Sequence, residues 1–310
     1  GVLLTRYPGG LEKALIKTEI KEFPLFAKGK VRDVYDLKDK LLIIATDRIS
    51  AFDVVLPNGI PGKGKVLTKM SLFWFELVKD LIDNHLIAFK VDDYPPELQK
   101  YRDVLEDRSM LVKKAKRIDV ECVVRGYISG SLWKEYQEKK DLSENDRVEI
   151  LGYLFPDNLR ESDKLTFPIF TPATKAESGH DLNISFEQMK KEFGASLSEY
   201  LKEKSLAIYQ KCSDYAERKG MIIADTKFEF GFSREKVILI DEILSPDSSR
   251  FWPKQTYSAG KPQDSFDKQF VRDYLERIKW DKKPPAPELP EEVIIKTKEK
   301  YEEALKRLIN

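Results

Sequence analysis

The 310-residue chain balances 54 Lys and Arg against 53 Asp and Glu for a net charge of +1; 41% of it is apolar and 35% charged. That length allows one large domain or two smaller ones with a substantial core, and the charge balance leaves no global basic field for nucleic acid. No stretch approaches the roughly 18 apolar residues of a membrane-spanning helix; two cysteines outside any CxxC argue against disulfides or structural zinc, and two histidines exclude a His-rich metal centre, so any metal is a hard, oxygen-bound cation such as Mg²⁺.

The opening GVLLTRYPGG has neither the apolar core of a signal peptide nor an initiator Met, so a cytoplasmic chain is expected, with Gly1 arising from processing or a tag. Residues 11–21 (LEKALIKTEIK) predict a short amphipathic helix. Residues 25–45 predict a β-hairpin with Gly29, Lys28, Lys30 and Arg32 near its first turn. Two readings fit those cations. They mark a solvated edge strand, or a flap whose glycine lets backbone approach phosphates that Lys30 and Arg32 neutralise. No Walker A signature accompanies them.

Residues 46–65 (TDRISAFDVVLPNGIPGKGK) read as a long loop, with Asp47, Arg48, Ser50 and Asp53 at its start. Residues 68–83 predict a helix buried along Leu72, Phe75, Val78, Leu81 and Ile82, with Trp74 in packing and His85 structural. Strands are expected at 110–117 and 120–125. The basic turn between them, Lys116-Arg117-Ile118, suits a hinge that reads a purine edge or a solvated turn. Ser129-Gly130-Ser131 then caps a helix, and such an N-terminus also suits an anion. Residues 139–163 read as an exposed excursion and 164–184 as irregular, the latter holding Lys175, Glu177, His180 and Asp181. A helix over 196–219 ends at Gly220 with Cys212 in its core stripe. Another is expected over 266–278, then a stiff Pro-rich linker at 281–290 and a charged surface helix over 290–308.

The stretch 221–252 is the chemically dense one. It predicts a hairpin of 222–230 and 237–240 followed by a polar loop. Alternation puts Asp225, Lys227 and Glu229 on one face, where burial is costly unless they pair, hold a metal or meet a charged ligand. Glu229 and an acid of Asp241-Glu242 suit Mg²⁺; an even pairing sum brings Asp241 to the shared face and an odd one brings Glu242. Arg250 in its Ser-rich loop suits a phosphate. With no nucleophile-and-base pair in view, ATP-driven activation by positioning and electrostatics fits. The plain alternative is a surface ladder of ion pairs.

Taken together and in order, GKVRDVYD (29–36), TDRISAFD (46–53), ECVVRGYISGS (121–131), TPATKAESGHD (171–181), DTKFEFG (225–231) and DEILSPDSSRFW (241–252) strongly resemble the SAICAR synthetase family of purine biosynthesis, in its long, yeast-type form. The resemblance implies an α+β fold with a kinase-like, β-rich ATP-binding lobe (1–119) and an α/β lobe (120–310) flanking the active-site cleft. It implies an ATP-dependent carboxylate–amine ligase. ATP phosphorylates the carboxylate of carboxyaminoimidazole ribonucleotide (CAIR), and the amine of L-aspartate displaces the phosphate. By motif, Lys30, Arg32, Lys113 and Arg117 meet ATP. Glu229 and Asp241 hold Mg²⁺ beside it. Asp53, Arg125, Ser131 and Arg250 surround CAIR, Asp225 and Lys227 act at the reacting centre, and Lys175, His180 and Asp181 are candidates for aspartate. A monomer without nucleic-acid or membrane partners is implied. At 180–185 this chain reads HDLNIS where the long form reads HDENIS, so Leu182 removes a carboxylate. A small-molecule kinase and a non-catalytic nucleotide-binding protein are the alternatives.

Overall fold

The computed structural model describes residues 4–5, 13–142, 146–175 and 181–310. The chain forms two compact units. One holds residues 1–73, 84–115 and 266–310; the other holds 74–83 and 116–265. Helices mix with sheets whose strand pairs are all antiparallel among the described residues, which makes the architecture α+β.

In the first unit, β1 (Leu4–Thr5) pairs with β2 (Ala14–Leu15). A meander of β3 (Leu25–Lys28), β4 (Arg32–Asp36) and β5 (Lys40–Ala45) leads to a hairpin of β6 (Arg48–Ala51) and β7 (Val54–Gly59). The chain then returns as β8 (Leu86–Ala88) and β9 (Ser109–Lys113), giving a sheet ordered β3-β4-β5-β9-β8. Its core includes Tyr35, Leu42, Ile44, Leu98, Leu105 and Leu111.

Several expectations change here. Residues 13–21 carry no helix. Ile16, Thr18 and Ile20 turn inward while Lys17, Glu19 and Lys21 stay exposed, a period of two. Thr18 hid that period because its buried position holds a polar residue, whose hydroxyl donates to Asp33 Oδ2 at 2.6 Å. The expected 46–65 loop is largely the β6–β7 hairpin. Its turn residues Phe52 and Asp53 have φ of 52° and 63°, a double left-handed turn that Asn-Gly would have announced and Phe-Asp does not. The helix expected from 68 begins at Lys63 and ends at Leu77. Gly64 lies inside it because a Cβ there would sit 2.1 Å from the Ala45 carbonyl oxygen. The helices Gln269–Arg277 and Glu291–Ile309 belong with this unit and not with 120–265. Leu289 N donates to Asn58 Oδ1 at 2.7 Å, and the buried Lys63 ammonium stands 5.4 Å over the Tyr301 ring. The last helix is accordingly more than a surface element: Tyr301, Ala304 and Leu308 are fully buried.

The second unit is built on one long strand. Its elements are β10 (Lys116–Arg117), β11 (Cys122–Tyr127), a helix Gly130–Lys140, β12 (Arg147–Ile150), β13 (Tyr153–Pro156), β14 (Lys164–Phe170), β15 (Ala173–Lys175), β16 (Asp181–Asn183), helices Phe186–Phe193 and Ala195–Arg218, β17 (Met221–Ser233), β18 (Lys236–Ile240) and β19 (Ser249–Pro253). The 13-residue β17 is flanked by β11 and β19 along its first half and by β10 and β18 along its second. The expected exposed excursion at 139–163 contains the β12–β13 hairpin, turned at Leu151 and Gly152 with φ of 52° and 86°. Val148, Ile150 and Phe155 from it join Ile128, Tyr136 and Leu165 in a core. The long helix ends as expected at Gly220, whose φ is 82°. Cys212 is buried and Trp74 is fully buried, its indole N–H donating to Leu244 O at 2.9 Å.

A buried ion pair ties the first unit's loops together. Asp47, fully buried, accepts from Arg108 Nη1 at 2.8 Å, Gly64 N at 2.9 Å and Leu15 N at 2.8 Å. Removing one partner strands a buried charge. Asp47→Ala is expected to lower the unfolding free energy by about 3–5 kcal/mol in urea titration. A loss below about 1 kcal/mol, the surface-pair range, would contradict this.

Candidate active site

Register decides which charges of β17 meet. Arg125 on β11 lies opposite Asp225, and Asp225 lies opposite Arg250 on β19. Three charged residues thus form one row across three adjacent strands. Asp225 is buried, and its Oδ2 takes Arg250 Nη1 at 2.6 Å, lies 3.8 Å from Arg125 Nη1, and accepts from the Ser129 hydroxyl at 3.3 Å. Ser129 stands at the N-cap of the following helix, yet its side chain makes no capping bond; the carboxylate has claimed it instead.

The buried Arg125 fans out from this row. Its Nε donates to Thr171 Oγ1 at 2.8 Å and its Nη2 to Ser131 Oγ at 3.4 Å, while Asn183 Nδ2 donates to the same Ser131 oxygen at 3.2 Å. A hydroxyl that accepts twice keeps its single O–H as a donor. Two guanidiniums against one carboxylate leave a positive charge. Asp225 raises the pKa of Arg250, and burial lowers that of Arg125. The row with Ser131 therefore suits an anion carrying several acceptor oxygens. Gly130 has a φ of 60°, and a Cβ there would sit 2.4 Å from Arg250 Nη2, so only glycine leaves that guanidinium its place.

A second cluster lies further along the same face. The Lys227 ammonium is 4.0 Å from Glu121 Oε2. Burial first, then a hydrogen bond with Asp181, raises the Glu121 carboxyl to about 7, against the opposing pull of Lys227. Glu229, two residues beyond Lys227 along that face of β17, adds a smaller charge repulsion at Glu121. Glu121 is not among the site residues expected from the sequence. Thr171 and Asn183 were also missed. Both lie in or beside the quoted TPATK–HD stretch, and only the three-dimensional pairing shows that they serve Arg125 and Ser131.

The other expected site residues fall as follows. Lys30, in the β3–β4 turn, pairs with Asp53 of the β6–β7 turn at 2.9 Å, both exposed. Asp53 therefore stands in the first unit, and Arg125, Ser131 and Arg250 in the second. Arg32 begins β4, and its charge helps burial hold the His85 pKa down at about 3. Lys113 is exposed at the end of β9, opposite Lys40. The basic turn expected at 116–118 is the short strand β10. In it Arg117 lies opposite Gly231 and contacts Asp119 at 3.1 Å. Asp181 is exposed and pairs across with Lys175 in backbone register; the Lys175 side chain and residues 176–180, with Glu177 and His180, lie outside the described residues. Leu182 is exposed on β16.

The β17–β18 register has an odd sum, Glu229 facing Ile240. Parity alone would bring Glu242 to the shared face, but the ladder stops at Ile240 and Asp241, at φ 70°, leads the chain out of it. Asp241 Oδ1 accepts from Glu242 N at 2.8 Å, and Glu242 Oε1 is buried from solvent. Among the described residues no group of three or more His, Cys, Asp or Glu is placed to hold a metal. The carboxylates of Glu229, Asp241 and Glu242 are hard oxygen donors, the kind Mg²⁺ takes together with phosphates and water.

The SAICAR synthetase family profile matches residues 25–287. The chain is 56% identical over 298 residues to the phosphoribosylaminoimidazole-succinocarboxamide synthase of Thermodesulfovibrio yellowstonii, covering 96% of this chain and 99% of the relative. It is equally 56% identical to that of Geotalea uraniireducens, over 299 residues, covering 96% and 98%. Its fold matches the SAICAR synthase of Saccharomyces cerevisiae, solved in complex with SAICAR, with a TM-score of 0.86, 45% identity and coverage of 94% and 97%. The chain belongs to the SAICAR synthetase family. The α+β fold and the long, yeast-type form are as the motifs imply. SAICAR synthetase is an ATP-dependent ligase of purine biosynthesis, so the expected enzyme class holds as well.

The Glu121 carboxyl supplies a pH signature. Its ordinary value is 4.5 and the fold raises it to about 7, which favours the protonated form. Its contribution to stability is therefore present below pH 4.5 and lost as pH rises through about 7. Glu121→Gln removes the titration. Thermal melts should show the variant gaining on the parent as pH increases across that window; a stability difference that does not change with pH would contradict the assignment.

Proposed function

We propose that this SAICAR synthetase joins L-aspartate to the carboxylate of CAIR through an acyl phosphate, and that the residues described above divide the work. The row Arg125–Asp225–Arg250 carries this reading. Its excess positive charge and the outward Ser131 donor suit the phosphate of a ribonucleotide. The yeast relative was solved in complex with SAICAR, the ribonucleotide product, which supports a phosphorylated ligand for this chain.

In the first step the γ-phosphoryl of ATP passes to a CAIR carboxylate oxygen as its bond to ADP breaks. Lys30, Arg32, Lys113 and Arg117 neutralise or orient the nucleotide. Lys113 on β9 stands opposite Lys40 on β5, whose ammonium is already paired with Asp39 at 2.9 Å. In the second step the aspartate amine attacks the acyl carbon. A C–N bond forms, the C–O bond to phosphate breaks, and the amine proton leaves. Lys227 neutralises charge at the reacting carboxylate, and Asp225 keeps both guanidiniums in position. Catalysis of this kind is placement plus electrostatics. Glu229 and Asp241 would hold Mg²⁺, which supplies charge neutralisation of the phosphates. Asp53 contributes on the CAIR side, and Lys175 and Asp181 are the candidates for L-aspartate. The protein works as a monomer in the cytoplasm. No helix among the described residues is long and apolar enough to cross a membrane.

The test uses purified chain with ATP, Mg²⁺, CAIR and aspartate. Succinocarboxamide should form only with aspartate present. A stable phosphorylated product without it would indicate a kinase. Arg250→Ala removes a charged hydrogen-bonding partner, a loss of about 1.5–3 kcal/mol, so KM for CAIR should rise roughly 10- to 100-fold with KM for ATP little changed. An equal or larger effect on ATP would move Arg250 to the nucleotide subsite.

A further inference from the structure

Arg48 is a buried arginine that the reaction scheme above does not use. It begins β6, yet four of its bonds go elsewhere in the first unit. Nη2 donates to Asp33 Oδ1 at 2.7 Å and to the Gly29 carbonyl at 3.1 Å, Nε to the Lys30 carbonyl at 3.2 Å, and Nη1 to the Ile16 carbonyl at 3.0 Å. Its neighbour Thr46 holds the next carbonyl. Thr46 N donates to Val31 O at 3.0 Å, and the Thr46 hydroxyl donates to the same oxygen. Three successive carbonyls of the β3–β4 turn are therefore held by Thr46 of the β5–β6 connection and Arg48 at the start of β6.

This has a geometric consequence. In a planar trans peptide the N–H points opposite to the preceding C=O. Holding the Gly29 and Lys30 carbonyls against Arg48 turns the Lys30 and Val31 N–H groups the other way. Successive N–H groups on one side of a turn form an anion-binding concavity, here beside the exposed Lys30 ammonium. The turn is closed at its base by Gly29 N donating to Arg32 O at 2.8 Å. The β6–β7 hairpin that starts with Arg48 also supplies Asp53 to the Lys30 side chain. One hairpin thus grips the turn by its backbone and by its side chain.

Arg48 is itself braced. Asp33, 2% exposed, neutralises it, and the other Asp33 oxygen accepts from Thr18, whose hydroxyl lies 2.8 Å from that of Tyr35. A lysine could keep the charge opposite Asp33, but its single nitrogen cannot span carbonyls on either side of a planar fork. Arginine is the residue whose shape the turn requires.

We propose that Arg48 is a positioning residue for nucleotide binding. From beneath the 29–32 turn it fixes the backbone so that Lys30 and the turn's N–H groups are presented to the phosphates of ATP. The inference rests on the reading of Lys30 as an ATP contact, and the experiment separates the two. Kinetics for all three substrates, and calorimetric affinity for a non-hydrolysable ATP analogue, are measured for Arg48→Lys, Thr46→Val, Lys30→Ala and Tyr94→Phe. The last loses a buried hydrogen bond to Ser109 in the same unit and serves as a stability control. Arg48→Lys should raise KM for ATP and weaken the analogue about tenfold, a shift of about 1.4 kcal/mol. KM for CAIR and aspartate should stay within about twofold, the size of a few tenths of a kcal/mol. Tyr94→Phe should lower the melting temperature without any such split. If Arg48→Lys fails to fold, Thr46→Val carries the test with a smaller rise of the same kind. An unchanged KM for ATP in the Arg48 or Thr46 variant, while Lys30→Ala raises it, overturns the role of Arg48 alone. Equal rises for all three substrates also overturn it, since they indicate general destabilisation. An unchanged KM for ATP in Lys30→Ala removes the nucleotide reading of the turn itself, and this inference with it.

Discussion

A buried carboxylate between two guanidiniums is the constraint on which the second unit depends. Like charges directly opposite on neighbouring strands repel, and Arg125 and Arg250 flank β17 at the same level. Asp225 makes that level possible. It also could not be buried alone, since an unpaired ion in the interior costs several kcal/mol. The three residues therefore require one another, and they fix the registers of β11, β17 and β19 together. The surplus charge that remains is directed at the helix N-terminus where Gly130 and Ser131 stand. Site and sheet are one electrostatic solution.

The first unit uses the same device for a different end. Asp33 with Arg48 and Asp47 with Arg108 are both buried pairs, with side chains at most 8% exposed. Neither guanidinium stops at its carboxylate. Arg108 goes on to the Ala45 carbonyl, and Arg48 to three others. Such pairs are weak evidence for stability as such. Their value is directional, because a planar fork with fixed donors sets where several carbonyls point. The loops that connect β3 with β4 and β5 with β6 are held in this way, next to the cations Lys30 and Arg32. Positive charge on a well-defined backbone is what a polyphosphate requires.

Much of this was legible in the sequence, and what was not has physical reasons. The 221–240 hairpin could be read because alternation separates Asp225, Lys227 and Glu229 from an apolar return strand. The long helix to Gly220 could be read because its stripe and stop are local. The hairpins at 48–59 and 147–156 were hidden by turns at Phe52-Asp53 and Leu151-Gly152, residue pairs that do not announce left-handed backbone as Asn-Gly does. Residues 13–21 look helical in sequence because the buried Thr18 interrupts their alternating apolar pattern. At the site, the motif ensemble named Arg125, Ser131, Asp225 and Arg250. It did not reveal that three of them form one row, since register between distant strands has no local signal. Glu121, Thr171 and Asn183 act through partners dozens of residues away, and the bonds of Arg48 go to residues on other strands and turns, so the sequence around each does not show its role. The grouping of the last helix with the first unit is of the same kind: it depends on Lys63 meeting Tyr301.

The surplus charge of the Arg125–Asp225–Arg250 row gives the ribonucleotide's phosphate a defined place. A crystal structure of the protein with CAIR bound tests that most directly. Its phosphate oxygens should lie within about 2.7–2.9 Å of the Arg250 guanidinium, with the Ser131 hydroxyl donating to one of them and Asp225 still bridging Arg125 and Arg250. A phosphate bound away from that row, with Arg250 turned to solvent, would contradict it.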